Sequence, residues 1–312
     1  KKLEDDRWER KALENIALAV VTEQRRSRRW GIFFKFVGLA YISLIFAFVI
    51  DWGQTERLAD GQKITALVNL TGVIDSSDVS AENLSSALKE VYEDKHTAGV
   101  ILRINSPGGS PVQAGMMKEE IYRLRRLHPT IPVYAVVEDV CASGGYYVAV
   151  AADKIFVDKA SIVGSIGVLM DGFGFTGTMD KLGVERRLLT SGENKGFLDP
   201  FSPQVPQQKE FALKMLGEIH AQFIDVVRRG RGQRLKETPE MFSGLMWSGA
   251  KSIEMGLADG YGTVESVARD VIKAEVIHDF TVKPNIAEKF AKRFGADMAE
   301  GIASAVSRVT VR

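Results

Sequence analysis

Between Trp30 and Ile50 the chain reads WGIFFKFVGLAYISLIFAFVI, with Lys35 its only charge. A bilayer core of roughly 30 Å needs about 20 apolar helical residues, and this run supplies them. A helix that is apolar on every face does not suit the surface of a soluble domain. Phe48-Val49-Ile50-Asp51 also lacks the small residues of a signal-peptide cleavage site. Lys35 lies near the start, where its stem can reach the headgroups. Trp30 and Trp52 bracket the run as interfacial anchors do. The expectation is one transmembrane helix at 30–51. Arg25, Arg26, Arg28 and Arg29 crowd its N-terminal flank, whereas Asp51 to Asp60 is mixed and mildly acidic. The positive-inside rule then puts residues 1–29 in the cytoplasm and everything after Trp52 across the membrane, in a periplasmic or extracellular location.

Residues 1–29 read as a charged helix with a modest stripe of Trp8, Leu13, Ile16, Ala17 and Val20, and 52–63 as a linker. From Ile64 strand and helix signals alternate. Strands are expected at 64–70, 98–104, 131–137 and 154–157. Helices are expected at 80–94, with Ser80 as N-cap and Asn83 three residues on, at 111–127 and at 143–152. This alternation argues an α/β domain with parallel strands and right-handed crossovers. Ser161 to Thr178 is glycine-rich loop and short strand. Phe211 to Arg229 is an amphipathic helix with Phe211, Met215, Ile219, Phe223 and Val227 in one stripe. Pro239 to Gly256 holds helix-like pieces. A tail from 279 carries Ile286, Phe290, Phe294, Met298 and Ile302 at four-residue steps, a stripe suited to packing on protein.

Composition narrows the chemistry. A net charge of +1 gives no overall pull toward nucleic acid. One cysteine, Cys141, allows no intrachain disulfide. The four histidines show no zinc-ligand spacing, so no metal is expected. No phosphate-binding glycine loop points to a nucleotide.

Two glycine turns remain. In Asn105-Ser106-Pro107-Gly108-Gly109-Ser110, between a strand and a helix, paired glycines free the backbone to aim N–H groups at a ligand. A tight turn without a ligand has the same sequence. In Asp139-Val140-Cys141-Ala142-Ser143-Gly144-Gly145-Tyr146-Tyr147, Ser143 stands where an exposed nucleophile would, although helix capping is the commoner fate of such a serine. Cys141 is a rival nucleophile that reads more easily as a small buried thiol. A serine needs a base. His96, His128, His220 and His278 lack a loop context aimed at Ser143. Lys195, in Ser191-Gly192-Glu193-Asn194-Lys195-Gly196-Phe197-Leu198-Asp199-Pro200-Phe201, has glycines on either side and apolar residues after it. A single lysine is ordinarily a solvated surface charge.

Four motifs taken together are more specific: Asn105-Ser106-Pro107-Gly108-Gly109, Ala142-Ser143-Gly144-Gly145-Tyr146-Tyr147, Gly164-Ser165-Ile166-Gly167-Val168, and Gly192 and Lys195 followed by Pro200-Phe201. In this order, from about Ile64 to about Ile277, the chain resembles the signal peptide peptidase A (protease IV) family of Ser/Lys peptidases, in its short single-domain form. The resemblance implies a ClpP/crotonase-like βαβ superhelix domain over 64–278. It implies a homo-oligomer on the bacterial inner membrane that cleaves remnant signal peptides, with active sites shared between subunits and no cofactor. It carries the nucleophile onto Ser143 and the general base onto Lys195. The N–H groups of Gly108 and Ser143 become oxyanion donors, and Ser165 the residue that holds the lysine in place.

A lysine with pKa about 10.4 is neutral in about one molecule in 2,500 at pH 7, and bringing it near 7 needs roughly 4.6 kcal/mol. Burial shifts a lysine by that order. Glu193 and Asp199 would oppose the shift, so both are expected to point away from Lys195. Two other classes of protein share the pattern: acyl-CoA hydratases, whose thioester substrate is cytoplasmic, and an inactive crotonase-like scaffold for membrane protein assembly.

Overall fold

A computed structural model describes residues 25–26, 28–44, 61–77 and 79–282. The chain divides into two compact units, Lys1–Gly61 and Gln62–Arg312. In the first, the described residues are helical at 25–26 and over 28–44 (α1). Phe33, Phe34, Phe36, Leu39, Ile42 and Leu44 on α1 are exposed. Among the described residues no helix is long and apolar enough to cross a membrane. The end of the expected span, 45–51, lies outside the described residues. So do the charged segment 1–24, most of the linker at 52–60, and the tail stripe from Ile286 to Ile302.

The second unit is a mixed α/β sheet domain. It runs β1 (Ile64–Thr71), α2 (Ala81–Glu93), β2 (Thr97–Ser106), α3 (Pro111–Leu127), β3 (Val133–Ala142), α4 (Gly144–Ala149), β4 (Lys154–Val157), β5 (Ile162–Gly164), α5 (Thr176–Leu182), α6 (Pro206–Arg231), β6 (Met246–Ser248), α7 (Gly249–Glu254), β7 (Gly260–Tyr261), α8 (Val264–Ser266) and β8 (Val276–Asp279). The sheet order is β6-β5-β3-β2-β1-β8, with β4 pairing both β3 and β7. Every pairing is parallel except β5 with β6.

Local chemistry sets the first helices. Ser80 Oγ accepts from the Asn83 N–H at 3.2 Å and opens α2, which buries Leu84, Ala87, Leu88 and Val91. Pro111 begins α3, where a missing N–H costs nothing, and Ser110 Oγ accepts from the Gln113 N–H at 3.3 Å. Met117, Ile121 and Leu124 go to the core, while the adjacent Met116 faces outward. The main core joins α2, α3 and α4 to one face of the sheet. A smaller cluster of Leu67, Ile101, Val136, Phe156, Val264 and Val267 covers the other.

β3 positions the chemistry, and it is longer than its apolar run. Tyr134, Ala135 and Val136 pair with β4, whereas Val140, Cys141 and Ala142 pair with β5. Against β2, Ile104 pairs with Val137 and Ser106 with Cys141, so Asn105 alone opposes Glu138, Asp139 and Val140. This bulge bends β3 from one neighbour to the next, and bulges of this kind re-aim the residues beyond them. Asn105 Nδ2 donates across it to Asp139 Oδ2 at 3.0 Å.

At the far edge, β8 lies parallel to β1, with Ile64 opposite Val276. The buried Thr65 hydroxyl donates to the Ala274 carbonyl at 2.7 Å. Arg231, at the end of α6, is 1% exposed and pairs with Asp259 at 2.8 Å. The N-terminal half of α6 packs less than its stripe suggested. Phe223 and Val227 are buried, but Phe211 is exposed.

Candidate active site

β3 ends at Ala142, and the next residue is Ser143 with φ 51° and ψ −121°. A non-glycine residue there costs about 1–3 kcal/mol and persists only where its surroundings over-determine it. Two main-chain bonds do so. The Ser143 N–H donates to the Gly164 carbonyl at 2.8 Å, and the Ser143 carbonyl accepts from the Tyr147 N–H at 2.9 Å. Ser143 occupies the N-cap position of α4, yet its side chain makes no capping bond. Its hydroxyl therefore does not serve the helix. α4 itself is held by the buried Tyr146, whose hydroxyl donates to the Leu257 carbonyl at 2.8 Å.

The Gly108-Gly109 turn lies directly against Ser143. A Cβ on Gly108 (φ 103°) would sit 2.7 Å from Ser143 Cβ and 2.7 Å from the Gly144 nitrogen. Ile74 straps the turn from the other side. Its N–H donates to the Gly108 carbonyl at 2.8 Å, and its carbonyl accepts from Ser110 N–H at 2.8 Å. A Cβ on Gly109 would meet that carbonyl at 2.1 Å, so neither glycine can be replaced without movement.

The two N–H groups expected as oxyanion donors are both engaged. That of Gly108 donates to the buried Ser106 Oγ at 3.1 Å, and that of Ser143 is bonded to Gly164. Among the described residues, the N–H groups of Gly109 and Gly144 have no partner within the protein. The physical reason is register. Gly144 is the first residue of α4, where an N–H has no partner inside the helix, and Gly109 is stepped over by the two Ile74 bonds. Nothing in the sequence advertised the Ile74 strap.

Ser165 follows Gly164 and is itself at φ 50°. Its N–H donates to the Leu245 carbonyl at 2.8 Å. The structure thus places Ser165 one residue from the partner of the Ser143 N–H. It does not join Lys195 to Ser143. Lys195 is exposed, in a turn where its N–H donates to the Gly192 carbonyl at 3.1 Å. Neither Glu193 nor Asp199 pairs with it. The Asp199 carboxylate is turned to the Ser202 hydroxyl, the Phe201 N–H and Arg186, which hold it below its ordinary pKa.

The rivals are placed elsewhere. Cys141 is fully buried, and burial pushes its thiol up, away from the reactive thiolate. His96 Nδ1 lies 2.9 Å from the Gln62 carbonyl. His128 stacks on Tyr92 at 4.6 Å, and His278 is in β8. His220, on α6, has Nε2 at 3.1 Å from the Ile166 carbonyl. That contact requires Nε2 to carry a proton, so this nitrogen is not a base.

Comparison with known proteins gives this geometry a family. The model of Peptidase family S49 matches residues 125–277. A protein of Enterococcus faecium named "Putative signal peptide peptidase SppA" is 31% identical over 236 residues, covering 73% of this chain and 68% of that protein. A protein of Brucella abortus named "Na(+)/H(+) antiporter NhaA" is 43% identical over 203 residues, covering 64% of this chain. The chain matches only 27% of that relative's length. Among solved structures, the 1510-N membrane-bound stomatin-specific protease aligns with a TM-score of 0.46 and 12% identity, over 73% of this chain and 100% of that one, too distant a likeness to bear on chemistry. A strained serine at a strand end, two glycine turns meeting at it, and the match running through both Ser143 and Lys195 agree: the chain belongs to Peptidase family S49.

Proposed function

We propose that the chain is a membrane-anchored serine endopeptidase that degrades remnant signal peptides and other membrane-proximal peptides, with Ser143 as nucleophile and Lys195 as general base. The observation that carries the reading is Ser143 itself. It is held in a conformation that costs energy, it is spared from capping, and the unpaired amides of Gly109 and Gly144 adjoin it. In the reaction Ser143 Oγ attacks the scissile carbonyl, and the Gly109 and Gly144 N–H groups take the developing oxyanion. The serine proton passes to Lys195 and from there to the leaving amine, and water then hydrolyses the acyl-enzyme. Family membership and the parallel strand order support a ClpP/crotonase-like fold.

Lys195 needs burial to be neutral, and the single chain leaves it exposed. The segment around it is rich in uncovered apolar side chains: Leu189 is 96% exposed, Leu169 79%, Phe173 77% and Leu182 72%. A homo-oligomer would cover that surface, desolvate the lysine and bring it to a neighbour's serine. The apolar face of α1 and the arginines before it support the membrane anchor, with the catalytic domain on the far side of the bilayer.

The test is labelling with a fluorophosphonate in detergent-solubilised, oligomeric protein. Ser143 acquires the adduct, while Ser143→Ala and Lys195→Ala do not. Absence of any adduct in the assembled wild type sinks the reading.

A further inference from the structure

The segment Gly164–Gly167 backs the nucleophile and is gripped from several directions. Its first carbonyl accepts from Ser143, and Ser165 N–H donates to Leu245. A Cβ on Gly164 would stand 3.1 Å from Trp247 Cδ1, and one on Gly167 3.1 Å from Gly244 Cα, so both lie tight on the segment 244–247 that leads into β6. Each of these grips uses backbone or shape. One side chain adds a directed bond: His220 Nε2, from α6, at 3.1 Å from the Ile166 carbonyl. Among the described residues no other side chain hydrogen-bonds to 164–167. Ile166 is fully buried, so its carbonyl has no water to turn to if the imidazole leaves.

Two residues at positive φ, Ser143 and Ser165, are joined through the Gly164 carbonyl. Slack at Ile166 therefore reaches Ser143 through three consecutive residues. We propose that His220 is a positioning residue for Ser143, tying α6 to the Ile166 carbonyl and so fixing the segment that orients the nucleophile's backbone. The proposal rests on Ser143 being the nucleophile. Both neutral imidazole with its proton on Nε2 and imidazolium donate from that nitrogen, so the tie holds in either charge state.

The experiment uses the full chain as the detergent-solubilised oligomer, comparing wild type with His220→Leu and His220→Gln, whose amide nitrogen reaches as Nε2 does. Amide exchange across 163–167 and the rate of fluorophosphonate labelling are both measured. His220→Leu speeds exchange at the Ser165 amide and slows labelling about tenfold, the scale of one partly buried hydrogen bond. His220→Gln restores most of both. Should the leucine variant not fold, His220→Asn, too short to reach, replaces it. Unchanged exchange, unchanged labelling with faster exchange, or a glutamine variant no better than leucine each overturn the proposal. If the wild type itself is not labelled, the nucleophile reading fails, and exchange alone then decides whether His220 holds the segment.

Discussion

The Ser143 N–H donates to the Gly164 carbonyl at 2.8 Å, so the amide of the candidate nucleophile orients its own backbone and is not left for a ligand. That bond helps hold φ at 51°, a value glycine accepts without strain. Ser143→Gly should therefore be more stable than Ser143→Ala by about 1 kcal/mol, the lower end of the strain cost. Both abolish labelling. Denaturant midpoints check the order, and an alanine variant at least as stable as the glycine one contradicts the strain.

Gly108→Ala should remove activity without unfolding the domain. The new methyl would meet Ser143 Cβ and the Gly144 amide at 2.7 Å, displacing the nucleophile and a free donor together. Losing a donor alone costs about 100-fold or more in rate. Labelling kinetics beside a circular dichroism spectrum give the answer.

Gly115, in the middle of α3, provides the opposite case. A methyl added there would find nothing within 4 Å. Gly115→Ala should add about 0.5–1 kcal/mol from helix propensity alone and raise the melting temperature by a few degrees, with unchanged labelling.

Asp259 should set an acid limit to stability. Burial pushes its carboxyl up, but the hydrogen bond and charge of Arg231, the Ile155 N–H and Arg234 outweigh burial and leave it below its ordinary value. A depressed folded pKa stabilises above the unfolded value, near 3.9, and that contribution is lost as pH falls through the folded one. Unfolding free energy should thus decline below about pH 4. Asp259→Asn should be less stable at neutral pH by about 3–5 kcal/mol, since it strands the buried Arg231, and should lose part of that acid dependence.

Cys141 should resist iodoacetamide in the native protein at pH 8 and react fully once unfolded, because its buried thiol is held protonated. Cys141→Ala should keep fluorophosphonate labelling, which separates it from the chemistry.

The parts of this domain that could be read from sequence are those whose local chemistry is self-sufficient. The helix 111–127 was legible to the residue, because Ser110, Pro111 and an apolar stripe specify it without help. β3 was legible only as far as Val137. Glu138 and Asp139 break its apolar run, and they are the bulge that carries the strand on to β5. β5 to β8 hold two to four residues each, too few to show a period, and exist because strands already in the sheet template them. Gly108, Ser143 and Ser165 stand in three separate motifs of the sequence, and the fold brings them together. Which amides stay unpaired was not legible, because that depends on the register of Ile74 and Gly164 against two different turns.

The pairing of β1 with β8 has a consequence in time. Thr65 waits for Ala274, and Ile64 for Val276, more than two hundred residues later in the chain. During synthesis, the outer edge of β1 stays open until nearly all of the domain has emerged. An open strand edge invites pairing with other chains, and contacts so distant in sequence form slowly. The nascent domain therefore passes through a long window in which its first strand must be kept from foreign partners, and a nonsense mutation even shortly before Ala274 would make that exposure permanent.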